Sequence, residues 1–212
     1  MERDTVREEE VLSGTVLRGR ILPRSFYNRA TVPVSRDLLG KVLVHGDTAG
    51  IIVETEAYLG GDDLASHSAV GITDRTRVIF GPPGYAYVYL SYGMHECLNI
   101  VAERDGAPGC VLIRALEPVE GIELIRARRG GVRTDRDLTS GPGKLTRALA
   151  ITRAQNGVDM TRGSLVVRMP VEQRDIDIEV SRRIGITKCA DLPLRFTIAG
   201  NRFVSKRPVY RV

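Results

Sequence analysis

Two glutamates and a tyrosine alternate along an apolar stretch of the chain and could together do acid–base chemistry. Residues 51–58 (IIVETEAY) predict a β-strand, in which successive side chains point to opposite faces. Glu54, Glu56 and Tyr58 would then share one face, and His67 follows in a long loop. Burial beside aromatic rings raises the pKa of a carboxyl group, as a general base near neutral pH requires. The pattern indicates a hydrolytic site, but a strand edge with one face in solvent would show the same alternation.

Aromatic residues are concentrated in a second stretch, because four of the seven tyrosines lie within residues 85–92. Three of them share one face of a predicted strand, as core packing would require: Tyr85, Tyr87 and Tyr89. Tyr92 is out of phase with them and precedes Gly93, so we expect it to be exposed at the end of the strand. An exposed tyrosine beside Met94 on a basic protein could wedge into a base stack.

Turn residues divide the chain into short strands and a few helices. We predict strands at residues 42–45, 51–58, 85–90, 97–101, 110–116, 164–168 and 194–199. We predict helices at residues 36–39, 118–129 and 145–151, and a long functional loop at 60–77. Strands outnumber helices without βαβ alternation, and no segment repeats. The predicted fold class is α+β, a single compact domain around a curled, mainly antiparallel β-sheet with flanking helices.

The composition fits a globular protein with a polyanionic partner. Hydrophobic residues make up 42% of the 212 residues and charged residues 27%, which excludes disordered and low-complexity classes. There are 31 basic and 26 acidic residues, and the net charge of +5 favours a nucleic acid as partner. No apolar run reaches the roughly 18 residues that a membrane span needs, and residues 1–20 lack the apolar core of a secretory signal. We therefore expect an intracellular protein without a membrane association.

Familiar cofactor and metal motifs are excluded by their spacing. Gly143-Lys144 is similar to the end of a phosphate-binding loop, but Leu145 stands where that loop needs Ser or Thr. The three cysteines contain no CxxC pair, and the three histidines have no metal-ligand spacing. We therefore expect neither a metal nor a cofactor.

Five stretches of the chain are recognisable as an ordered set: residues 52–60 (IVETEAYLG), 65–68 (ASHS), 87–94 (YVYLSYGM), 114–118 (RALEP) and 140–145 (SGPGKL). Together they closely resemble the alkyladenine (3-methyladenine) DNA glycosylase family of base-excision repair. The similarity extends over residues 38–196. It implies a DNA glycosylase domain at 26–212. The preceding segment, residues 1–25, has no counterpart in the family and is expected to be mobile.

The resemblance also implies a function. A member of this family binds double-stranded DNA, flips an alkylated or deaminated purine out of the duplex and hydrolyses its N-glycosidic bond, which leaves an abasic site. It is a monofunctional hydrolase that works without a cofactor. We expect a monomer in the cytoplasm, associated with the nucleoid in a bacterium, or in the nucleus of a eukaryote.

The resemblance assigns roles to single residues by their positions in the motifs. Glu56 matches the general base that activates the water, while Arg114 and the backbone carbonyl of Ile184 match groups that hold this water. The residues that match the pocket for the flipped base are Tyr58, His67, Tyr89 and Asn99. The position of Asn99 is the one that the family uses to reject undamaged guanine. Contacts to DNA outside the pocket are expected from Tyr92, Met94 and Lys144, with Tyr92 in the gap that the base leaves. Glu54 has no assigned role and is expected to be a structural acid paired with an arginine.

Two other classes of function are left open by the residues themselves. A glycoside hydrolase could use Glu54 and Glu56 as its carboxylate pair, because two residues along a strand are separated by about 6.6 Å. The absence of tryptophan argues against a platform for carbohydrate stacking, and the basic charge argues for DNA. A non-catalytic minor-groove protein would need the exposed Tyr92 but not Glu56.

Overall fold

A computed structural model describes residues 19–172 and 175–205 of the chain. Its main feature is an eight-stranded sheet in which every described pair of neighbouring strands is antiparallel. The strands are β1 (Val42–His45), β2 (Thr48–Leu59), β3 (Ala86–Ser91), β4 (His95–Val101), β5 (Gly109–Glu120), β6 (Leu165–Arg168), β7 (Ile178–Ser181) and β8 (Arg195–Ile198). Helices flank this sheet in a single compact domain, which confirms the predicted α+β class.

The sheet branches at its central strand, β2. This strand pairs with β5 along one edge, and along its other edge it pairs first with β1 and then with β8. One path through the sheet therefore runs β3-β4-β5-β2-β1-β6, while β8 carries β7 on a second arm. The sheet curls, as predicted, and the part of β2 that carries Glu54 and Glu56 lies at the branch.

Apolar side chains from the sheet and from short helices fill the interior. The helices are α1 (Arg24–Tyr27), α2 (Thr31–Asp37), α3 (Ile122–Arg129), α4 (Arg136–Thr139) and α5 (Pro142–Ala148), with 3₁₀ helices at His67–Val70, Arg77–Phe80 and Arg153–Gln155. Ile100 of β4, Ile113 of β5 and Leu145 of α5 are fully buried in one cluster. Burial of each such side chain contributes roughly 1.5–3 kcal/mol. In the described ranges, no helix has the length and apolar character needed to cross a membrane.

The predicted strands are present, and pairing extends some of them beyond the predicted ends. β2 begins at Thr48, so the turn between β1 and β2 is Gly46-Asp47, shorter than the five residues 46–50 that separate the two predicted strands. Gly46 has a φ of 56°, which glycine adopts without strain. The sequence does not predict β7, because its four residues include only two apolar ones and are held by pairing with β8.

The predicted helix at 118–129 is wrong at its start. Residues up to Glu120 belong to β5, where Pro118 lies opposite Gly50 of β2. Gly121 then adopts a left-handed φ of 67°, and α3 begins at the next residue. A proline can open a helix, but here a strand that is distant in the sequence decides its conformation. The other two predicted helices are shifted towards the N-terminus, to α2 and α5.

Part of the N-terminal segment packs on the domain. The backbone N–H of Leu22 donates to the carbonyl of Val167 in β6 at 2.9 Å, and the Leu22 side chain lies in the core. Arg24 forms an ion pair with Asp159, with 2.8 Å between Nη2 and Oδ2. Residues 1–18, which belong to the segment expected to be mobile, lie outside the described residues.

Candidate active site

An aromatic cavity of about 510 Å³ lies beside the branch of the sheet. Its walls come from the end of β2, the 60–77 loop, β3 and the turn after it, β4, β5, the start of α5 and residues 184–186. The volume falls in the range of small-molecule pockets, roughly 300–1,000 Å³. The predicted site residues that line it are Tyr58, His67, Tyr89, Tyr92, Asn99, Arg114 and Ile184. The fold therefore brings together most of the residues that the resemblance singles out.

Glu56 lies behind the wall of this cavity and is itself 0% exposed. Its Oε1 accepts a hydrogen bond from the backbone N–H of Ile184 at 2.7 Å. Its Oε2 accepts from the hydroxyl of Tyr58 at 3.0 Å and from Nη1 of Arg114 at 3.2 Å. All three partners line the cavity. Because a carboxylate oxygen can accept at least two hydrogen bonds, Oε1 keeps an acceptor position beyond its one contact in the described part of the chain.

The surroundings of Glu56 suit a proton acceptor. Burial raises the pKa of Glu56 above its ordinary value, against the ion pair with Arg114 and the hydrogen bonds from Ile184 and Tyr58. The direction agrees with the sequence argument, and a raised pKa strengthens the carboxylate as a base. Burial and the charge of Glu56 also raise the pKa of the Tyr58 phenol, so its hydroxyl stays a hydrogen-bond donor.

Glu54 is fully buried as well, and it is held by two arginines. Its Oε1 accepts from Nε of Arg114 at 2.9 Å, from Nε of Arg195 at 2.7 Å and from Oγ of Ser205 at 2.8 Å. This confirms the expected pairing with an arginine, and it contradicts the alternative in which this strand face is in solvent. The register between β2 and β5 shifts between Glu54 and Thr55, which leaves Arg114 opposite the step.

One face of the Tyr58 ring is covered by a cation. The guanidinium carbon of Arg183 lies 4.7 Å from the ring centroid. Both terminal nitrogens of Arg183 pair with the carboxylate of Asp63, at 2.7 and 2.8 Å, and Nη1 also donates to the carbonyl of Ala57. The two side chains are almost fully buried. This bidentate pair and the cation–π contact hold the ring in place and leave its other face to the cavity.

A second aromatic group is formed by His67, Tyr87 and Tyr89. The rings of His67 and Tyr89 lie 4.5 Å apart, and Nδ1 of His67 lies 2.9 Å from the hydroxyl of Tyr87. The guanidinium carbon of Arg75 lies 5.2 Å from the centroid of Tyr89, and its Nη2 lies 3.5 Å from Nε2 of His67. Burial, together with Arg75, lowers the pKa of His67 to about 4, so the imidazole is neutral near pH 7.

Asn99 lies on β4 and lines the cavity. It is buried, and its Nδ2 donates to the carbonyl of Tyr87 at 3.2 Å. The thiol of Cys110 lies 3.9 Å from its Oδ1. These contacts hold the side-chain amide in one orientation.

The turn between β3 and β4 projects from the rim of the cavity. Tyr92 is 84% exposed and Met94 is 70% exposed, whereas Tyr87 is buried. Tyr92 has a φ of 50°, a backbone region that few residues other than glycine adopt. The structure therefore confirms the expected difference between packed and exposed tyrosines. Lys144 lies outside the cavity lining, and its Nζ pairs with Asp137 at 2.8 Å.

The sequence profile of the methylpurine-DNA glycosylase (MPG) family matches residues 25–202. The chain belongs to this family. A relative from Methanoculleus marisnigri is 54% identical over 194 residues, which cover 88% of this chain and 99% of the relative. Relatives from Koribacter versatilis and Methanocella arvoryzae are 50% and 48% identical, over 87% and 88% of this chain and 92% and 96% of their own lengths. All three carry the provisional name 3-methyladenine DNA glycosylase.

Family membership fixes the class of reaction. The chain is a DNA N-glycosylase, a hydrolase of base-excision repair that acts on alkylated purines, and DNA is its substrate. The predicted family and enzyme class are confirmed. The two alternative classes, a carbohydrate-acting hydrolase and a non-catalytic minor-groove protein, receive no support from the comparisons.

Three residues around the glycosylase's cavity are missed by the sequence argument: Asp63, Arg75 and Arg183. Asp63 and Arg75 lie in the 60–77 loop, so the prediction that this loop is functional is a signal that could have identified them. Arg183 gives no local signal, because its carboxylate partner is 120 residues away in the sequence. The backbone N–H that Ile184 donates to Glu56 is also invisible in a pattern of side chains.

Proposed function

We propose that this glycosylase flips an alkylated purine out of duplex DNA into the aromatic cavity and that Glu56 activates the water that displaces the base. The observation that carries the proposal is the position of Glu56, a buried carboxylate whose three hydrogen-bond partners all line the cavity. A base that stays stacked in a duplex cannot reach such an enclosed group. The provisional name of the relatives supports 3-methyladenine as one substrate.

The proposed place for the flipped base is between Tyr58 on one side and the rings of His67 and Tyr89 on the other. A purine alkylated at N3 or N7 is cationic, and its contact with aromatic faces contributes about 0.5 to 2 kcal/mol. The lowered pKa of His67 keeps its ring neutral, so it adds no charge that would repel a cationic base. Asn99, with its amide held in one orientation, is the proposed contact that rejects undamaged guanine.

The proposed water binds the remaining acceptor position of Glu56 Oε1, between Arg114 and the carbonyl of Ile184. The 2.7 Å bond from the Ile184 N–H supports this, because it brings the backbone of that residue to the carboxylate. The water oxygen forms a bond to C1′ of the deoxyribose, and Glu56 accepts a proton from the water. The purine leaves with the electron pair of the N-glycosidic bond, and a cationic base leaves as a neutral molecule without a further proton.

The exposed turn supplies the proposed contacts with the duplex. Tyr92 would fill the gap that the flipped base leaves, with Met94 beside it, and their high exposure supports this role. Lys144 would contact a phosphate of the DNA once its ion pair with Asp137 is broken. Breaking this pair costs little, because an exposed ion pair contributes only about 0–1 kcal/mol to stability. The monomeric state and the cellular location stay predictions.

An incision assay tests the proposal. A duplex with one 7-methylguanine, a duplex with one hypoxanthine and a matched undamaged duplex are incubated with the enzyme, and abasic sites are then cleaved by alkali. We expect abasic sites at the 7-methylguanine and none in the undamaged duplex, while the hypoxanthine duplex decides whether deaminated purines are substrates. Binding of the lesion without formation of abasic sites would contradict the proposal.

A further inference from the structure

Glu54 accepts more hydrogen bonds than a carboxylate needs for a simple ion pair. Three donors meet its Oε1, from Arg114, Arg195 and the Ser205 hydroxyl, and the backbone N–H of Ser205 donates to its Oε2 at 2.7 Å. These groups come from β5, from β8 and from the segment after β8. Glu54 is therefore held by groups from three segments of the chain, and it lies next to Glu56, the proposed general base.

Arg114 is divided between two carboxylates. Its Nε donates to Glu54, and its Nη1 donates to Glu56. A guanidinium can present two parallel N–H groups to one carboxylate, and this protein contains such a pair in Arg183 and Asp63. A bidentate pair with Arg114 would stabilise the ionised form of Glu56 and weaken it as a base.

We propose that Glu54 is a positioning residue for the chemical step. It holds the Nε side of Arg114, so that this arginine makes only one contact with Glu56. Glu56 therefore stays able to accept a proton. The inference rests on the proposed role of Glu56 as the general base. It gives Glu54, the first glutamate of the VETE stretch at residues 53–56, a part in the reaction without contact with the substrate.

The charged and titratable groups around the two glutamates support this arrangement. Glu56 faces Glu54 and Tyr58 from its own strand and Arg114 from β5, and it also interacts with Arg183. Burial raises the pKa of Glu54, but Arg114 and Arg195 outweigh this effect and hold it below the ordinary value. Glu54 therefore stays ionised, and its negative charge contributes to the raised pKa of Glu56.

Loss of the Glu54 charge has a defined consequence for Glu56. With glutamine at position 54, Arg114 no longer shares its charge with a second carboxylate, and the negative charge of Glu54 no longer opposes ionisation of Glu56. The pKa of Glu56 then falls. Because the rate decreases as Glu56 becomes protonated, the acid limb of the pH–rate profile moves to lower pH, by about one unit for a single lost charge interaction of this kind. A weaker base also lowers the plateau rate, by up to about tenfold for one pKa unit, because the rate falls by no more than the base strength does.

Single-turnover excision of 7-methylguanine over a range of pH tests the inference. The variants are Glu54→Gln, Glu54→Asp, which keeps the charge, and Glu56→Gln. Asp159→Asn is the matched control, because Asp159 is a largely buried carboxylate paired with an arginine outside the cavity. Thermal unfolding of each variant is measured in parallel, so that rates are compared only where the protein is folded.

We expect the acid limb to move to lower pH in Glu54→Gln, to stay near its wild-type position in Glu54→Asp, and not to move in Asp159→Asn. If folded Glu54→Gln keeps the wild-type acid limb, or if the limb moves to higher pH, the positioning role is wrong. If Glu54→Gln does not fold, the double variant Glu54→Gln/Arg195→Gln is measured in its place, because it removes the second arginine that would otherwise stay buried without Glu54. An acid limb at lower pH in the double variant supports the role, and an unshifted limb contradicts it. Retained turnover in Glu56→Gln would instead contradict the proposed function.

Discussion

The hydroxyl of Tyr58 offers a direct test of how the structure sets the basicity of Glu56. This hydroxyl donates to Oε2 of Glu56 at 3.0 Å, and it lowers the pKa of the carboxyl group against the effect of burial. Tyr58→Phe removes only this donor, because the ring keeps its packing against Arg183. The pKa of Glu56 is therefore expected to rise further in this variant.

The size of the shift follows from the lost hydrogen bond. A bond to a charged group is worth about 1.5–3 kcal/mol, and the protonated acid retains part of it, so the net loss for the ionised form is about half of this. With 1.36 kcal/mol per pKa unit, the pKa of Glu56 should rise by about one unit. The rate decreases as Glu56 becomes protonated, so the acid limb of the pH–rate profile should move to higher pH by the same amount.

Single-turnover excision of 7-methylguanine at a series of pH values measures this shift. Tyr89→Phe is the matched control, because it removes another cavity hydroxyl, one that interacts with Cys97 and not with Glu56. We expect no movement of the acid limb in the control. An acid limb of Tyr58→Phe that is unchanged or lies at lower pH, in a folded protein, would refute the argument. The sign is opposite to that expected for Glu54→Gln.

Three further results are expected. Tyr92→Ala should change the free energy of unfolding by no more than about 0.5 kcal/mol while it weakens binding to lesion DNA, whereas Tyr87→Ala should cost about 3–5 kcal/mol, as denaturant titration will show. Asp63→Asn should lower stability by about 3–5 kcal/mol because it leaves Arg183 buried without its carboxylate partner. Burial raises the pKa of Asp63, but its hydrogen bonds, chiefly from Arg183, hold this pKa below the ordinary value. The contribution of ionised Asp63 to the free energy of unfolding is therefore complete above about pH 3.9 and is lost as the pH falls through the lower pKa of the folded state. Denaturant titration at several pH values measures this loss. Arg75→Gln should increase the ratio of 7-methylguanine to hypoxanthine excision by about 2- to 30-fold, because it removes a cation worth about 0.5–2 kcal/mol from an aromatic face of the cavity; an unchanged ratio in single-turnover assays would contradict this.

Local patterns are sufficient to predict several parts of the site. The alternation of residues 51–58 places Glu54, Glu56 and Tyr58 on one face because the period of a strand is fixed by its backbone. The exposure of Tyr92 also follows from its phase relative to Tyr87. These predictions need no knowledge of the neighbouring strands.

Features that depend on distant partners cannot be predicted in this way. Pro118 is a strand residue only because Gly50 of β2 lies opposite to it, and the short-range signal of a proline indicates a helix instead. The pairing of Arg183 with Asp63 and the backbone bond from Ile184 to Glu56 join segments that are far apart in the sequence. The division of Arg114 between two glutamates depends on a register shift, which no residue pattern specifies.

The central claim is that Glu56 performs the proton transfer, and one measurement tests it most directly. Glu56→Gln and wild type are compared for binding to a duplex with a single 7-methylguanine and for single-turnover formation of abasic sites. The account predicts lesion binding close to that of wild type and a rate that is lower by about 100- to 10,000-fold. A folded Glu56→Gln protein that forms abasic sites at a rate close to that of wild type would contradict it.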